Sequence, residues 1–264
     1  MEIIDQTGRT ISLEKTPSRI ISLVPSQTEL LFDLGLEDEV VGITKFCIHP
    51  ESWFRTKTRI GGTKEINFEK IAALKPDLII ANKEENEKEQ IEKLCEEYPV
   101  WISDIKTLDN AYDMIRALGE LTNRKVEAKK IISEIAFRFE NFKKNKTAVT
   151  KNRVAYFIWK NPWMVAGHDT FIDHLLSVCG FENVFVKEES RYPEITLEDV
   201  AEKKTDVILL SSEPYPFKEK HLEELKAILP SAKIMLVDGE LFSWYGSRLM
   251  HSTAYFGEVL NKIV

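Results

Sequence analysis

Apolar positions along this chain switch repeatedly between a strand-like run and a helical period. Arg19–Val24 (RIISLV) is a compact apolar strand. Glu29–Leu34 then shows helical spacing, and Gly35 stands at the C-cap position. Val40–Ile43 is another short strand. Asn67 or Thr63 can cap a helix over Phe68–Leu74, Lys75-Pro76 stops it, and Asp77–Ala81 is a buried strand. Glu84–Glu97 is a charged, solvated helix and Val100–Ser103 a further strand. Met1–Ser12 alternates weakly around Thr7-Gly8-Arg9 and reads as a hairpin-like edge. After the polar stretch Lys143–Asn152 the cycle restarts. Arg153–Ile158 (RVAYFI) is a strand, and Thr170–Val178 a helix closed by Gly180. Glu194–Leu210 is a helix capped by Thr196 and then a strand. Leu222–Ile228 is a helix, Ile234–Val237 a strand and Ser247–Val264 a final helix. Strands alternating with helices at this pace predict βα units and mainly parallel sheets.

Between the two cycles the pattern changes. Leu108, Ala111, Ile115, Leu118, Leu121, Val126, Ile131, Ile135, Phe139 and Phe142 recur at helical spacing, with charges between them. No proline interrupts them, which predicts one long helix whose weak point is Thr122-Asn123. The expected organisation is an N-terminal α/β lobe over 1–107, a connecting helix over 108–146 and a C-terminal α/β lobe over 147–264. The fold class is α/β: two similar lobes with mainly parallel sheets, bridged by one long α-helix.

The lobes repeat one another in sequence. EINFEKIAALKPDLIIA (65–81) aligns without a gap on EITLEDVAEKKTDVILL (194–210). Glu65/Glu194, Ile66/Ile195, Glu69/Glu198, Ala72/Ala201, Lys75/Lys204, Asp77/Asp206 and Ile79/Ile208 are identical. The offset of 129 residues is about half of 264, far longer than a solenoid period. Two facing copies are expected to form a cleft.

A formal net charge of −7 argues against a nucleic-acid surface or an anionic-membrane anchor. No apolar run is long enough to span a bilayer. Met1–Arg19 has neither a basic nor an apolar leader region, so the sequence as it stands is expected to be cytoplasmic, and extracytoplasmic if a leader precedes it. Cys47, Cys95 and Cys179 have no metal-type spacing and fit buried free thiols.

Ligands of α/β sheets bind outside the carboxyl ends of the strands. The loops expected there carry Phe46, Trp53, Trp159, Trp163, Tyr192, Phe242, Trp244 and Tyr245, including four of the five tryptophans. Rigid rings beside Pro, Gly, Ser and Lys suit stacking on a flat ligand, although rings can also cap sheet ends as core. His49 is either a loop hydrogen-bonder or an axial ligand to a chelated metal. His168 follows Gly167 in a candidate loop, but no three histidines converge, and no intrinsic metal site or cofactor is expected. Arg248 and Lys64 either hold a polar edge of the ligand or form salt bridges. Gly61-Gly62 is not a phosphate loop.

With these segments together, the chain resembles a known family. RIISLVPSQTELLFDLG, GGTKEINFEKIAALKPDLIIA, the long central helix and EITLEDV are similar to the periplasmic binding proteins of cobalamin and iron-chelate ABC importers. The SxTELLF turn and the NPWMVAG loop are nearest to the cobalamin-binding branch. The resemblance implies two lobes joined rigidly by one helix and closing slightly around a large, flat ligand. It implies that Glu69 and Glu198 dock one per lobe on arginines of the permease; helix-dipole stabilisation is the alternative for both. Corrinoid-contacting positions fall on or near Pro25, His49, Lys64, Asn82, Trp163, Tyr192, Phe242 and Arg248. Lys64 and Asn82 replace tryptophans and His49 replaces a tyrosine, making the pocket more polar.

The expected function is therefore a monomeric binding protein, not an enzyme. Cobalamin or an iron chelate is the transported ligand, contacted by these residues with Trp244 and Tyr245, and an ABC permease is the partner. Haem or a ferric siderophore is the alternative ligand. A cytoplasmic corrinoid- or chelate-processing enzyme using His49 or His168 as acid or base is the alternative of a different class.

Overall fold

The computed structural model describes residues 1–145 and 152–263. The chain divides into two compact units. The first comprises Met1–Ile105, Asp109–Ile135 and Tyr245–Arg248, and the second Lys106–Leu108, Ala136–Trp244 and Leu249–Val264. The lobe boundary expected at 146/147 lies outside the described residues.

In the first unit the Met1–Ser12 ribbon forms as the alternation predicts. β1 (Glu2–Ile4) and β2 (Thr10–Ser12) pair antiparallel, and Asp5 Oδ1 accepts from the Thr7 and Arg9 N–H groups at 2.9 Å to close the turn. The sheet is built from β3 (Ile20–Ser22), β4 (Val40–Ile43), β5 (Thr58–Arg59), β6 (Leu78–Asn82) and β7 (Val100–Ser103). Their order is β5-β4-β3-β6-β7, and every pairing is parallel. The connections carry α1 (Pro25–Asp33), α2 (Glu51–Thr56), α3 (Phe68–Leu74) and α4 (Lys88–Glu97). β6 and β7 are buried throughout, as covered parallel strands are.

The helical stretch after β7 is two helices, α5 (Leu108–Leu121) and α6 (Lys125–Asn145), where sequence predicts one. The break falls on the predicted weak point. Asn123 takes a left-handed φ of 56°, Thr122 Oγ1 turns back to the Leu118 carbonyl at 2.7 Å, and the Arg124 N–H donates to the Gly119 carbonyl at 2.7 Å. Gly119 is needed there, because a Cβ would lie 2.4 Å from the Ala128 Cβ. α5 from Asp109 and the start of α6 belong to the first unit, and Ala136 onward to the second.

The second unit is built on β8 (Arg153–Trp159), β9 (Trp163–Val165), β10 (Glu182–Asn183), β11 (Glu194–Ile195), β12 (Val207–Ser211) and β13 (Lys233–Val237). Their order is β11-β9-β8-β12-β13, with β10 also pairing β8. β8, β10, β12 and β13 pair in parallel, while β9 and β11 add antiparallel edges. The helices are α7 (Phe171–Cys179), α8 (Leu197–Glu202), α9 (Glu219–Ile228), α10 (Glu240–Ser243) and α11 (Leu249–Ile263). Ala155, Phe157, Ile208, Leu210, Val200, Leu225 and Ile234 form the core between strands and helices.

The sequence repeat is a structural repeat. Asn67 and Thr196 both cap their helices through the side chain, accepting from the N–H of Lys70 at 2.9 Å and Asp199 at 3.2 Å. Lys75 and Lys204 both turn the chain at positive φ, 47° and 49°. Asp77 then accepts from the Arg19 N–H at 2.8 Å, and Asp206 from the Arg153 N–H at 2.8 Å. Each arginine donates its Nε to the end of the capped helix, Arg19 to the Leu74 carbonyl at 2.7 Å and Arg153 to the Lys203 carbonyl at 3.1 Å. Lys75/Lys204 and Asp77/Asp206 are thus shared because they fasten each capped helix to the arginine at the start of the central strand, just before β3 and at the head of β8.

Candidate functional site

In the first unit the carboxyl strand ends present a short uncovered apolar segment. Pro25 opens α1 at its first position and is buried. After β4, Thr44 and Cys47 are fully buried, and the Cys47 sulfur lies 3.1 Å from both the Thr28 and Thr44 hydroxyls. Burial pushes the Cys47 thiol pKa up, so the sulfur stays neutral. With Cys47 pinned inward, its neighbours turn out: Phe46 is 51% and Ile48 45% exposed, and His49 is half-buried beside them. Ile48 escapes sequence reasoning because nothing marks a loop isoleucine as outward-facing.

Lys64 is exposed, its Nζ donating to the Glu84 carbonyl at 2.9 Å and lying 3.3 Å from the Glu87 carboxylate. Asn82 corrects an expectation. It is 2% exposed, and its amide is consumed in shaping the loop after β6. Its Nδ2 donates to Ser103 Oγ at 2.9 Å, while its Oδ1 accepts from the Glu84 and Glu85 N–H groups at 2.8 and 3.0 Å. Tyr245 and Arg248 also belong to this unit. Tyr245 is buried and donates its hydroxyl to Glu85 Oε1 at 2.6 Å; burial, then the Glu85 charge, push its pKa well up. Arg248 holds Glu29 in a bidentate pair at 2.8 and 2.7 Å, so the salt-bridge alternative is the one realised. Gly246 lets this segment lie against α1, where a Cβ would stand 2.6 Å from the Ser26 carbonyl oxygen.

The second unit gathers rings at the end of β8. Trp159 is 40% exposed and meets Tyr215 edge-on at 5.6 Å. Trp163 is half-buried and stacks on Phe217 at 6.2 Å with an interplanar angle of 3°, and Lys160 Nζ lies 5.0 Å from its centroid. Tyr215 and Phe217 pack at 4.7 Å. Neither is among the sequence candidates, yet the alternation Glu-Pro-Tyr-Pro-Phe over 213–217 is a signal that could have found them, since prolines beside rings fix their directions. Tyr192 is half-buried in the loop before β11. A depression of about 480 Å³ at the ends of β12 and β13 is lined by Ser212, Phe217, Leu236, Val237, Asp238 and Glu240.

Three further aromatic expectations are corrected. Phe242 is fully buried among Phe256, Tyr156 and Tyr255, at centroid distances of 4.7, 5.4 and 6.2 Å. Trp244 is 6% exposed and donates Nε1 to Glu213 Oε1 at 2.8 Å. Trp53 lies in α2, fully buried, with Nε1 donating to Glu37 at 2.6 Å. All three have core or buried hydrogen-bonding partners that local sequence does not show.

Glu69 and Glu198 occupy the same second position of α3 and α8, both exposed and without a side-chain hydrogen bond or ion pair among the described residues. Among the described residues no group of three or more His, Cys, Asp or Glu could hold a metal ion, and no helix is long and apolar enough to cross a membrane.

Comparison with known proteins bears on the family and the fold. The periplasmic binding protein family matches residues 20–230. A vitamin B12-binding protein of Vibrio cholerae is 30% identical over 194 residues, 73% of this chain and 70% of that one. The vitamin B12-binding protein of Photorhabdus laumondii is 26% identical over 251 residues, 95% of this chain and 90% of that one. Among solved structures, the periplasmic vitamin B12 binding protein of Vibrio cholerae superposes with a TM-score of 0.81 at 24% identity, covering 94% of this chain and 98% of that one. A periplasmic haem-binding protein in complex with two haems superposes at 0.80 and 18% identity, covering 93% and 98%. The chelate-processing enzyme alternative falls with this match. The chain belongs to the periplasmic binding protein family and is a substrate-binding protein, not an enzyme.

Proposed function

We propose that this chain is the extracytoplasmic, monomeric binding component of an ABC importer and that it carries a corrinoid of the cobalamin type. The observation that carries the proposal is the set of rings and apolar side chains that remain at least partly exposed at the strand ends. Phe46 and Ile48 stand in the first unit, and Trp159, Trp163 and Tyr192 in the second. Covering such surface with a flat macrocycle gains about 25 cal/mol per Å² of apolar area, and rigid rings lose little freedom in doing so. The names of the curated relatives direct this surface to a corrinoid. Pro25, His49 and Lys64 supply the first unit's remaining contacts, with His49 the candidate axial ligand to a chelated metal. Asn82, Tyr245 and Arg248 support the loops of the first unit, and Phe242 and Trp244 those of the second. Glu69 and Glu198, matched in position and solvent-facing, dock on basic residues of the permease.

Haem or a ferric siderophore is the second reading, favoured by Lys64 and His49 where the cobalamin branch has aromatic rings. Titration with hydroxocobalamin and haemin, followed by the visible spectrum and tryptophan fluorescence, separates the two. The corrinoid reading expects saturable spectral change with hydroxocobalamin, weakened about tenfold in Trp163→Ala. No signal from hydroxocobalamin removes it, and tighter binding of haemin favours the second reading.

A further inference from the structure

Two tryptophans of the second unit rest on the segment 213–217, and one histidine backs that segment. Trp159 meets Tyr215 edge-on at 5.6 Å, and Trp163 stacks on Phe217 at 6.2 Å. Behind both stands His221, in the first turn of α9 and 4% exposed. Its ring centroid lies 5.6 Å from that of Tyr215 and 5.5 Å from that of Phe217, the latter pair edge-on at 87°. A single imidazole thus packs against the supports of both tryptophans.

The imidazole is itself held. Its Nδ1 accepts from the Lys218 N–H at 2.9 Å, which places the neutral ring's proton on Nε2, 3.5 Å from the Tyr215 hydroxyl. Lys218 is the N-cap of α9, so the same bond satisfies a donor at the helix start. The charged groups facing the ring are Lys160 from the turn after β8, and Lys218, Lys220 and Glu224 from α9 and its cap. Lys160 bonds Glu224, and its ammonium lies 5.0 Å from the Trp163 centroid. Burial, then the charges of Lys160 and Lys220, hold the His221 pKa below the ordinary histidine range, so the ring is neutral at neutral pH. Protonation would turn Nδ1 into a donor facing the Lys218 N–H, and the bond would be lost.

We propose that His221 is a positioning residue for the second unit's ligand-facing rings: bonded to the Lys218 N–H, it fixes Tyr215 and Phe217, and through them the directions of Trp159 and Trp163. The inference rests on the corrinoid reading above, in which those tryptophans meet the ligand. Rings already fixed lose less freedom when a ligand covers them, so the fixed set binds more tightly than a loose one. The neutral imidazole carries this role and acidification removes it. Affinity is therefore full above the folded-state pKa of His221 and falls as pH drops through it.

The test measures the Kd of cyanocobalamin, whose cyanide-capped cobalt does not titrate on mild acidification, for the parent chain, His221→Asn and His221→Leu. The Asn side-chain oxygen can accept from the Lys218 N–H in place of Nδ1 and carries no titrating group, whereas Leu fills the space without an acceptor. At about pH 7, His221→Leu should bind about tenfold more weakly than the parent, and His221→Asn within about twofold of it. Between about pH 7 and about pH 4.5 the parent should lose about fivefold in affinity relative to His221→Asn. Should His221→Leu fold poorly by circular dichroism, His221→Asn decides alone. About tenfold weaker binding in a folded His221→Asn chain, or the same pH profile in parent and His221→Asn, overturns the inference while leaving the corrinoid reading intact. A parent that binds no cyanocobalamin at neutral pH overturns both.

Discussion

Phe242→Ala separates a core ring from a ligand-contacting one. The side chain is fully buried, and its ring meets Phe256 at 4.7 Å, Tyr156 at 5.4 Å and Tyr255 at 6.2 Å. Truncation removes the transfer free energy of the ring and leaves a cavity among three aromatics that cannot all move in, so the loss should be about 3–5 kcal/mol. A domain is stable by only about 5–15 kcal/mol, so this is a large fraction of the second unit's margin. Urea denaturation, followed by far-ultraviolet circular dichroism and tryptophan fluorescence, measures it. At a slope of about 2 kcal/mol per M the midpoint should fall by about 2 M. Phe242→Leu, which retains most of the volume, should cost about 1.5 kcal/mol. The hydroxocobalamin affinity of the folded Phe242→Leu chain should be unchanged. A loss below about 1 kcal/mol in Phe242→Ala, combined with about tenfold weaker binding, would refute the core assignment and return the ring to the ligand.

Other consequences follow from neighbouring groups. Asn82→Ala removes two acceptor and two donor contacts from a buried loop and should cost about 2–4 kcal/mol in the same urea assay; a cost near zero would show that water replaces the amide. Glu213 is raised above the ordinary carboxyl range by burial, so its charge burdens the fold above the folded-state pKa. That burden is relieved as pH falls toward the unfolded value. The parent should therefore gain stability relative to Glu213→Gln on acidification from neutral pH, and a widening deficit would show the sign to be wrong. Glu69→Ala with Glu198→Ala should leave hydroxocobalamin binding intact and abolish stimulation of the cognate importer's ATPase. Weakened binding would instead make these two glutamates part of the ligand site.

Much of the architecture is written in local pattern. Runs such as RIISLV and RVAYFI are buried strands because their side chains are apolar on both faces, as a covered parallel sheet requires. The paired Lys75/Lys204 and Asp77/Asp206 identities mark a backbone turn and a fastening that each unit needs separately, so they persist in both copies. The site is less legible. A ring in a loop looks the same in sequence whether it faces solvent, as Trp159 does, or sinks among distant partners, as Phe242 does, because those partners come from β8 and α11. Asn82 reads as a polar pocket residue because sequence does not reveal that Ser103 and two loop N–H groups already claim its amide. Arg248 likewise reads as an available cation until Glu29, 219 residues earlier, is found holding it.

The four residues Tyr245–Arg248 belong to the first unit although Trp244 and Leu249 on either side belong to the second. A gene cut after Ile135 would yield an amino-terminal fragment stripped of the Tyr245 and Arg248 anchors that satisfy Glu85 and Glu29. Such a fragment should therefore be less stable than the same unit in the whole chain, and supplying a second fragment that carries 245–248 should restore the loss.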